Sequence, residues 1–269
     1  MSEKKAGTGG KKKANAVSLE TRDLTIRFGG HVAVNSVSCA FKTGTLTAIV
    51  GPNGAGKTTY FNLISGQLNA SAGQVLLNGK DISRMQASAR THAGLGRAFQ
   101  LTSLFPNLTV MENVRLALQA RFKLGLDMWN VWSHHKDLIQ HADQVLESVS
   151  LTAKRNVRSA ALSHGDQRKL EVGLLIALDP EVYMFDEPTA GMSVDEVPVI
   201  LDLIRELKTK QDKTILLVEH KMDVVRELAD RIIVLHNGTL MADGDPETVI
   251  ASPVVQQAYL GLAPVGEAA

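Results

Sequence analysis

The segment that most constrains this chain is the eight-residue stretch GPNGAGKT, Gly51 to Thr58, which follows the apolar run TAIV. It matches the pattern G-x-x-x-x-G-K-[ST], and the flanking sequence predicts a buried strand before it and a helix after it. Glycines in such a loop let successive backbone N–H groups point inward at a helix N-terminus, which makes a phosphate-binding site. Lys57 is expected to reach the β- and γ-phosphates of a nucleotide, and the Thr58 hydroxyl to bind Mg²⁺. The predicted nucleotide-binding residues of the loop are Gly51, Pro52, Asn53, Gly54, Ala55, Gly56, Lys57, Thr58 and Thr59.

A second, acidic segment points to nucleotide hydrolysis. VYMFDEP, Val182 to Pro188, is an apolar run followed by Asp186 and Glu187. Open α/β sheets bind ligands at the carboxyl ends of their strands, so both carboxylates are predicted to lie beside the phosphate loop. Asp186 is expected to join the Mg²⁺ shell, and Glu187 to orient and polarise a water for attack on the γ-phosphate.

Composition sets broad limits on the class of protein. The 269 residues are 44% hydrophobic and 21% charged, which is typical of a globular chain with more than one compact unit. Residues 1–16 carry five lysines against one glutamate, and this local charge of +4 leaves −3 for the rest of a chain whose net charge is +1. We therefore expect a disordered basic tail and no nucleic-acid partner, with weak attraction of the tail to an anionic membrane surface as the alternative. No apolar run approaches the ~20 residues that cross a bilayer, and the N-terminus lacks a signal-peptide core, so a cytosolic chain is expected.

The order of apolar patterns predicts an α/β core that is interrupted by a helical insertion. Alternating or apolar runs predict strands at 17–28, 37–41 and 47–50, and hairpin turns at Asn78-Gly79 and Asn237-Gly238. Helical spacing dominates the middle of the chain, and the later runs VYMF and TILLVE are typical of buried parallel strands. The predicted division is a basic tail (1–16), the first part of the core with a β subdomain and the phosphate loop (17–105), a helical subdomain (106–178), the second part of the core (179–250) and a C-terminal segment (251–269).

Five short motifs occur in the order that they have in one family. They are GPNGAGKT, the glutamine of RAFQ, LSHGDQ, FDEPT and the histidine of LLVEH, and through them nearly the whole chain resembles the ATP-binding subunits of ABC transporters. The resemblance implies an α/β fold: a P-loop NTPase (RecA-like) core with an N-terminal antiparallel β subdomain and an inserted α-helical subdomain. It also implies an ATPase coupled to transmembrane transport, with ATP and Mg²⁺ as cofactors. A metabolic P-loop kinase is disfavoured because it has no use for LSHGDQ or for this histidine.

The resemblance assigns roles to residues outside the phosphate loop. Phe28 matches the aromatic residue that stacks on adenine, with a core phenylalanine as the alternative. Gln100 matches the glutamine that senses the γ-phosphate and Mg²⁺, and it begins the stretch that touches the membrane partner. His220 matches the histidine that contacts the γ-phosphate and holds the catalytic geometry with Glu187. The implied catalytic residues are Glu187, His220 and Gln100, and the implied metal ligands are Thr58, Gln100 and Asp186.

The motif LSHGDQ matches the family's signature segment, which closes on the nucleotide held by the phosphate loop of a second subunit. Ser163 suits the N-cap of the following helix, and in a closed dimer its hydroxyl and the N–H of Gly165 are expected to meet the γ-phosphate. The usual family pattern has glycine at His164, glutamine at Asp166 and aspartate at Ser193. His164 and Asp166 are expected to face away from phosphate, and the coupling of two sites that the aspartate provides in the family is in question at Ser193.

Further segments favour one branch of the family. FGG-x-x-AV-x-S-V, LFPNLTVMENV, DEPTAGMS and PVVQQAYLG resemble the ATPases of branched-chain and other hydrophobic amino-acid uptake systems. LSHG followed by LEVGLL also resembles subunits of urea importers, and related systems take amides or aromatic acids. The ATPase of a lipid or lipopolysaccharide exporter and a soluble ABC ATPase outside transport are further alternatives. The implied partners are a second ATP-binding subunit (the same chain or a sister ATPase), transmembrane permease subunits and a periplasmic or extracellular solute-binding protein, with the chain on the inner face of the membrane.

Overall fold

The computed structural model describes residues 16–98, 104–122 and 136–260. Gln100, nearly all of the basic tail and part of the C-terminal segment lie outside the described residues. The strands are β1 (Val17–Phe28), β2 (His31–Lys42), β3 (Leu46–Val50), β4 (Ala72–Leu77), β5 (Lys80–Asp81), β6 (Leu95–Arg97), β7 (Val182–Asp186), β8 (Thr214–Val218), β9 (Arg231–His236) and β10 (Thr239–Gly244). The α-helices are α1 (Lys57–Ser65), α2 (Ala87–His92), α3 (Val110–Phe122), α4 (Lys136–Ser148), α5 (His164–Leu178), α6 (Val197–Thr209), α7 (Met222–Leu228), α8 (Pro246–Ala251) and α9 (Pro253–Leu260).

The first sheet is antiparallel and has the strand order β2-β1-β4-β5. The predicted strand over 17–28 is confirmed as β1, and the one predicted over 37–41 is part of the longer β2. Asn78-Gly79 forms the predicted turn between β4 and β5, and both residues have the positive φ that a tight hairpin turn requires. This sheet is the antiparallel β part that the sequence predicts near the N-terminus.

The second sheet has the order β10-β9-β3-β8-β7-β6. Its strands are parallel except for β10, which returns beside β9 through the predicted turn at Asn237-Gly238. Every residue of β3 and β8 is buried, which is why these strands are continuous apolar runs in the sequence. Each fully buried Leu, Ile or Val side chain contributes about 1.5–3 kcal/mol. The short strand β6 was not predicted, because LGR is no apolar run and ends in an arginine.

The helical insertion is confirmed in type. Helices α3, α4 and α5 pack through one buried apolar cluster that includes Val114, Leu118, Val145 and Leu170. The predicted boundaries of this subdomain, at 106 and 178, stay a prediction. Among the described residues, none of the helices has both the length and the apolar character needed to cross a bilayer.

Parallel pairing brings the functional loops to one edge of the second sheet. β3, β7 and β8 lie next to one another in the order β3-β8-β7. Gly51 directly follows β3, Glu187 directly follows β7, and His220 lies two residues after β8. Because parallel strands end at the same edge, these three segments are neighbours in space.

Candidate functional site

The phosphate loop follows a backbone path that requires glycine at two positions. Gly56 has a φ of +96°, and a Cβ there would lie 2.6 Å from the carbonyl oxygen of Ala33. Gly51 has a φ of +153°, and a Cβ there would lie 2.2 Å from the carbonyl oxygen of Leu235. Helix α1 begins within this segment, at Lys57, so the N–H groups of its first turn are directed at the residues that precede it. This arrangement suits an anion.

The side chain of Lys57 folds back over the loop. Its Nζ donates hydrogen bonds to the carbonyl oxygens of Gly51, at 2.6 Å, and Pro52, at 2.9 Å. The residue is only 6% exposed, and this burial lowers the pKa of Lys57, while the carboxylates of Glu187 and Asp186 oppose the shift. An ammonium in this position has its donors directed at the loop and both predicted acids within electrostatic range.

Asp186 lies at the end of β7 and is fixed by a residue that the sequence analysis missed. Its Oδ2 accepts a hydrogen bond from Nη2 of Arg97 at 2.6 Å. The side chain of Arg97 is fully buried and that of Asp186 is 11% exposed. The run RAFQ was singled out for its glutamine, and its arginine is the signal that could have directed attention to this pair.

Glu187 and His220 are in direct contact. Nε2 of His220 lies 2.7 Å from Oε1 of Glu187, and both side chains are 40% exposed. Glu187 has a φ of +50°, a conformation that is uncommon for a residue other than glycine and costs about 1–3 kcal/mol. It is held there in part because its N–H donates to the carbonyl oxygen of Val218, at 2.9 Å. The predicted water-orienting acid is therefore in a strained backbone position beside the predicted histidine.

A buried acid supports this pair from behind. Glu219 accepts a hydrogen bond from the hydroxyl of Thr189 at 2.7 Å and another from the N–H of His220 at 2.7 Å. It thereby ties the segment after β8 to the segment after β7. A role for Glu219 was not predicted, although an acid directly before the histidine of LLVEH is visible in the sequence.

The phosphate loop and the Glu187–His220 pair line one pocket of about 280 Å³. Two predicted catalytic residues and most of the predicted loop residues therefore share one space. His31 and Ala33, at the start of β2, also line it and were not predicted. Phe28, at the end of β1, is 50% exposed and is not one of the lining residues. The pocket is lined by His31, Ala33, Asn53, Gly54, Ala55, Gly56, Lys57, Thr58, Thr59, Glu187 and His220.

The signature segment uses its polar groups within its own chain. Ser163 is the N-cap of α5, as predicted: its Oγ accepts the N–H of Asp166 at 3.2 Å and donates to Oδ2 of Asp166 at 2.9 Å. The same carboxylate pairs with Lys154, and its Oδ1 lies 3.5 Å from Nζ of Lys169. Burial alone raises the pKa of Asp166, but the hydrogen bonds from Lys154 and Ser163 and the nearby Lys169 outweigh it and hold the pKa below its ordinary value. The S-x-x-D spacing is the sequence signal for this capping pair.

A second carboxylate lies against Gly165. A Cβ on Gly165 would be 2.2 Å from Oε2 of Glu196, so this position of Glu196 is compatible only with glycine. Glu196 accepts hydrogen bonds from the N–H and hydroxyl of Ser193, at 3.2 and 3.0 Å, and pairs with Lys169 at 3.3 Å. The hydrogen bonds from Ser193 lower the pKa of Glu196. Ser193, which stands where the family commonly has aspartate, therefore orients an acid that the sequence analysis missed.

His164 is exposed and contributes to a separate pocket of about 480 Å³. Within the part of the chain that the structure describes, this pocket and the phosphate-loop pocket have no lining residue in common. The other lining residues are Gln167, Arg168, Glu171, Ala190 and Gly191.

The fold and the pocket together define a class. A glycine-rich loop between a buried parallel strand and a helix, with Glu187 in its pocket and Asp186 directly before it at the end of a nearby strand, is the arrangement of a P-loop NTPase. The predicted fold class is confirmed, because a solved structure titled as the ADP conformation of MJ1267, an ATP-binding cassette of an ABC transporter, matches with a TM-score of 0.76 at 28% identity. The match covers 92% of this chain and 100% of that one.

Sequence comparison identifies the family. Residues 34–190 match the family described as ABC transporter. The chain is 36% identical over 248 residues to the high-affinity branched-chain amino acid transport ATP-binding protein BraF of Pseudomonas aeruginosa and, equally, to LivG of Escherichia coli. Each alignment covers 90% of this chain and 97% of the relative. The chain therefore belongs to the ABC transporter ATP-binding family, it binds nucleotide, and it is an ATPase coupled to transport, as predicted.

Proposed function

We propose that this chain hydrolyses ATP to power an importer of branched-chain or other hydrophobic amino acids. The observation that carries the hydrolytic part is the single pocket in which the phosphate loop faces Glu187 and His220. The cargo part rests on the names of BraF and LivG, which are branched-chain amino acid transport proteins, and on similarity along nearly the full length of both.

ATP binds first through its phosphates. The loop from Gly51 to Thr59 offers backbone N–H groups, and Lys57 offers an ammonium that is already fixed above the loop by two carbonyl oxygens. Phe28 is half-exposed at the end of β1, three residues before His31 of the pocket, and stacks on the adenine ring. The phosphates therefore provide most of the specific contacts, and the adenine adds a stacking contact with the Phe28 ring.

The residues beside the loop fit Mg²⁺. The Thr58 hydroxyl and the Asp186 carboxylate are the hard oxygen donors that this ion prefers, and they would hold it beside the phosphates. Gln100, which lies outside the described residues, is the third proposed ligand. When bound there, Mg²⁺ would neutralise charge on the nucleotide phosphates.

Hydrolysis depends on Glu187 and His220. The Glu187 carboxylate accepts a hydrogen bond from a water and aligns it with the γ-phosphate. Nε2 of His220 lies 2.7 Å from Oε1 of this carboxylate and keeps it in place, and His220 also contacts the γ-phosphate. Glu219 keeps His220 in place through the hydrogen bond from its backbone N–H.

The signature segment completes the site of a second subunit, whether the same chain or a sister ATPase. Ser163 and the N–H of Gly165 contact the γ-phosphate of ATP that is held by the partner's phosphate loop, and the N-terminal end of α5 adds about 0.3–1 kcal/mol. Neither Ser163 nor Gly165 is among the described residues that line the phosphate-loop pocket, which supports an arrangement across subunits rather than within one.

The proposed partners follow from this role. Transmembrane permease subunits carry the cargo, a periplasmic or extracellular solute-binding protein delivers it, and the chain works on the inner face of the membrane. No nucleic acid takes part. A urea, amide or aromatic-acid importer is the second candidate, because LSHG followed by LEVGLL resembles the subunits of urea importers.

The hydrolytic role is tested with Glu187→Gln. We expect ATP binding to persist and turnover to fall by on the order of 10²-fold or more, because the amide cannot orient and polarise the water. Phosphate release from the purified chain measures turnover. The matched control is Glu206→Gln, which changes an exposed acid of α6 that pairs with Lys210 and should hydrolyse ATP normally. Near-normal turnover in Glu187→Gln would remove Glu187 from this role.

The cargo is tested by uptake. In cells that lack this chain, restoring it should restore accumulation of labelled leucine, and restoring Glu187→Gln should not. Recovery of labelled urea uptake without recovery of leucine uptake would favour the second candidate.

A further inference from the structure

Arg97 is a charged side chain that lies wholly inside the protein. Its residue is 1% exposed, and its side chain is not exposed at all. Nη2 donates to Oδ2 of Asp186 at 2.6 Å, while Nη1 donates to Oδ1 of Asn62 at 2.7 Å and to Oγ of Ser65 at 2.9 Å. A buried guanidinium is unfavourable unless it is paired and hydrogen-bonded, so these contacts are what keep the charge in place.

The contacts of Arg97 join the two segments that form the proposed metal site. Asn62 and Ser65 belong to α1, the helix that starts at the phosphate loop, and Asp186 ends β7. The guanidinium carbon also lies 5.2 Å from the centre of the Phe61 ring, again on α1. The backbone of Arg97 pairs with Met184 of β7, so the residue is fixed both at its backbone and at its guanidinium.

The hydrogen-bond pattern argues against a purely stabilising role. Nε of Arg97 is buried and has no hydrogen-bond partner among the described residues. Replacing a buried ion pair with apolar side chains of similar volume is often neutral or stabilising, so stability alone does not call for an arginine here. What the arginine provides and an apolar side chain does not is a fixed donor for one oxygen of Asp186.

We propose that Arg97 is a positioning residue for the metal–nucleotide site: it holds Oδ2 of Asp186 and so presents Oδ1 toward the phosphate loop. The inference rests on the proposed role of Asp186 in binding Mg²⁺. Oδ1 accepts no hydrogen bond from the described residues, which leaves it for the ion. The link to α1 sets the distance between this carboxylate and the loop. Removing a group that orients a metal-binding carboxylate weakens metal binding by about 10- to 100-fold.

A second buried arginine provides the matched control. Arg90 is also 1% exposed and also contacts α1, but its described partners are all carbonyl oxygens, at Leu63, Ile64, Met85 and Ser83. It caps the last turn of α1 and meets no acid of the site. Burial lowers the pKa of Arg90 to about 10 against the charge of Asp81, and burial lowers the pKa of Arg97 against the charge and hydrogen bond of Asp186. Both arginines are therefore buried and both contact α1, but only Arg97 of the two is hydrogen-bonded to a carboxylate of the proposed site.

The test measures the affinity of the full chain for a fluorescent ATP analogue with EDTA and across a Mg²⁺ titration. For Arg97→Met we expect the affinity for the nucleotide in EDTA to be unchanged. The Mg²⁺ concentration that produces half of the maximal change in nucleotide affinity should be about tenfold higher than in the wild type. Arg97→Lys keeps the charge and should recover part of this loss. Arg90→Met should lower the melting temperature and leave the Mg²⁺ midpoint unchanged.

Asp186→Asn separates the two levels of the proposal. If it shifts the Mg²⁺ midpoint and neither variant of Arg97 does, the positioning role is wrong while the proposed function stands. If Asp186→Asn has no effect on Mg²⁺, the proposed metal role of Asp186 is wrong, and the inference is wrong with it. A loss of nucleotide affinity in EDTA for both Arg97 variants, equal to the loss with Mg²⁺, would show a role in the loop itself and also overturn the inference. If Arg97→Met does not fold, Arg97→Lys decides by the same midpoint.

Discussion

The phosphate loop and the signature segment are the two halves of the proposed ATP site, and one chain leaves them in different states. On the loop side, a Cβ on Gly54 would meet nothing within 4 Å, and the loop opens onto a pocket of about 280 Å³. On the signature side, the Ser163 hydroxyl donates to Asp166, and Glu196 lies against Gly165. The loop is ready for an anion, whereas the signature segment already holds two carboxylates of its own chain.

This difference indicates an order of events. Carboxylates beside a phosphate-binding segment repel phosphate, and here Lys154 and Lys169 balance part of that charge. We therefore expect the loop to bind nucleotide first, and the signature segment to join only when its contacts with phosphate outweigh those with Asp166 and Glu196. A ligand shifts such an equilibrium only by its difference in affinity for the two states.

The largest expected effect separates the two halves directly. Lys57→Ala removes a charged donor, and because hydrogen bonds to charged groups are worth about 1.5–3 kcal/mol, nucleotide affinity of the single chain should fall about 10- to 100-fold. Ser163→Ala should leave that affinity unchanged and should instead weaken ATP-driven dimer formation. Fluorescent-nucleotide titration and light scattering measure the two quantities.

If Ser163→Ala lowered the nucleotide affinity of the single chain as much as Lys57→Ala does, the proposed difference between the two segments would be wrong. Such a result would place the signature segment in the same site as the loop of its own chain.

The next effect concerns the stability of the signature side. Asp166→Asn removes a nearly buried charge from Lys154 and Lys169, and we expect the free energy of unfolding to fall by about 1–3 kcal/mol. Denaturant unfolding measures it. Asp202→Asn, an exposed acid of α6, is the matched control and should change little.

The pH dependence of this effect has a defined sign. The folded protein holds the pKa of Asp166 below its ordinary value, so the ion pairs stabilise the fold above that ordinary value and lose their effect as the pH falls through the folded one. The difference between the wild type and Asp166→Asn should therefore be equal at about pH 6 and about pH 8 and shrink only in acid. A difference that shrinks between those two values would contradict the ion-pair explanation.

The smallest effect tests the contact between Gly165 and Glu196. Gly165→Ala places a methyl group where the carboxylate of Glu196 lies. We expect the free energy of unfolding to fall by about 1 kcal/mol. This is a small loss for an overpacking substitution, because the Glu196 side chain can move. Adding Glu196→Ala should recover part of it, with a coupling of about 0.5 kcal/mol or more in the double-mutant cycle. Gly30→Ala, where a Cβ meets nothing within 4 Å, is the control. Full additivity would mean that the two residues are not in contact in solution.

Much of the fold was predictable because its signals are local. The phosphate loop is contiguous in the sequence, and β3 and β8 are runs of five buried residues that read as apolar segments. The N-cap at Ser163 was predicted as well, since the preference for serine at a helix start depends only on neighbouring residues. The turn at Asn237-Gly238 follows from two residues that tolerate positive φ.

Contacts between distant residues were not predictable in the same way. Arg97 and Asp186 are 89 positions apart, and Thr189 and Glu219 are 30 apart. The sequence shows that arginine and acids are present, but which of them meet depends on the order of strands in the sheet. β6 was missed for the same reason: its burial depends on β7 beside it and on the acid that pairs with its arginine.

The position of β3 has a consequence for how the chain is made. β3 lies between β8 and β9, and both strands are synthesised long after the phosphate loop. A chain that emerges from the ribosome at about 5–20 residues per second therefore exposes a largely apolar strand with two unpaired edges until its neighbours arrive. Leu235 of β9 also forms the wall against Gly51. We therefore expect a nascent chain to bind nucleotide only after β8 and β9 have been synthesised and have paired with β3. Exit of the loop from the ribosome would not be sufficient.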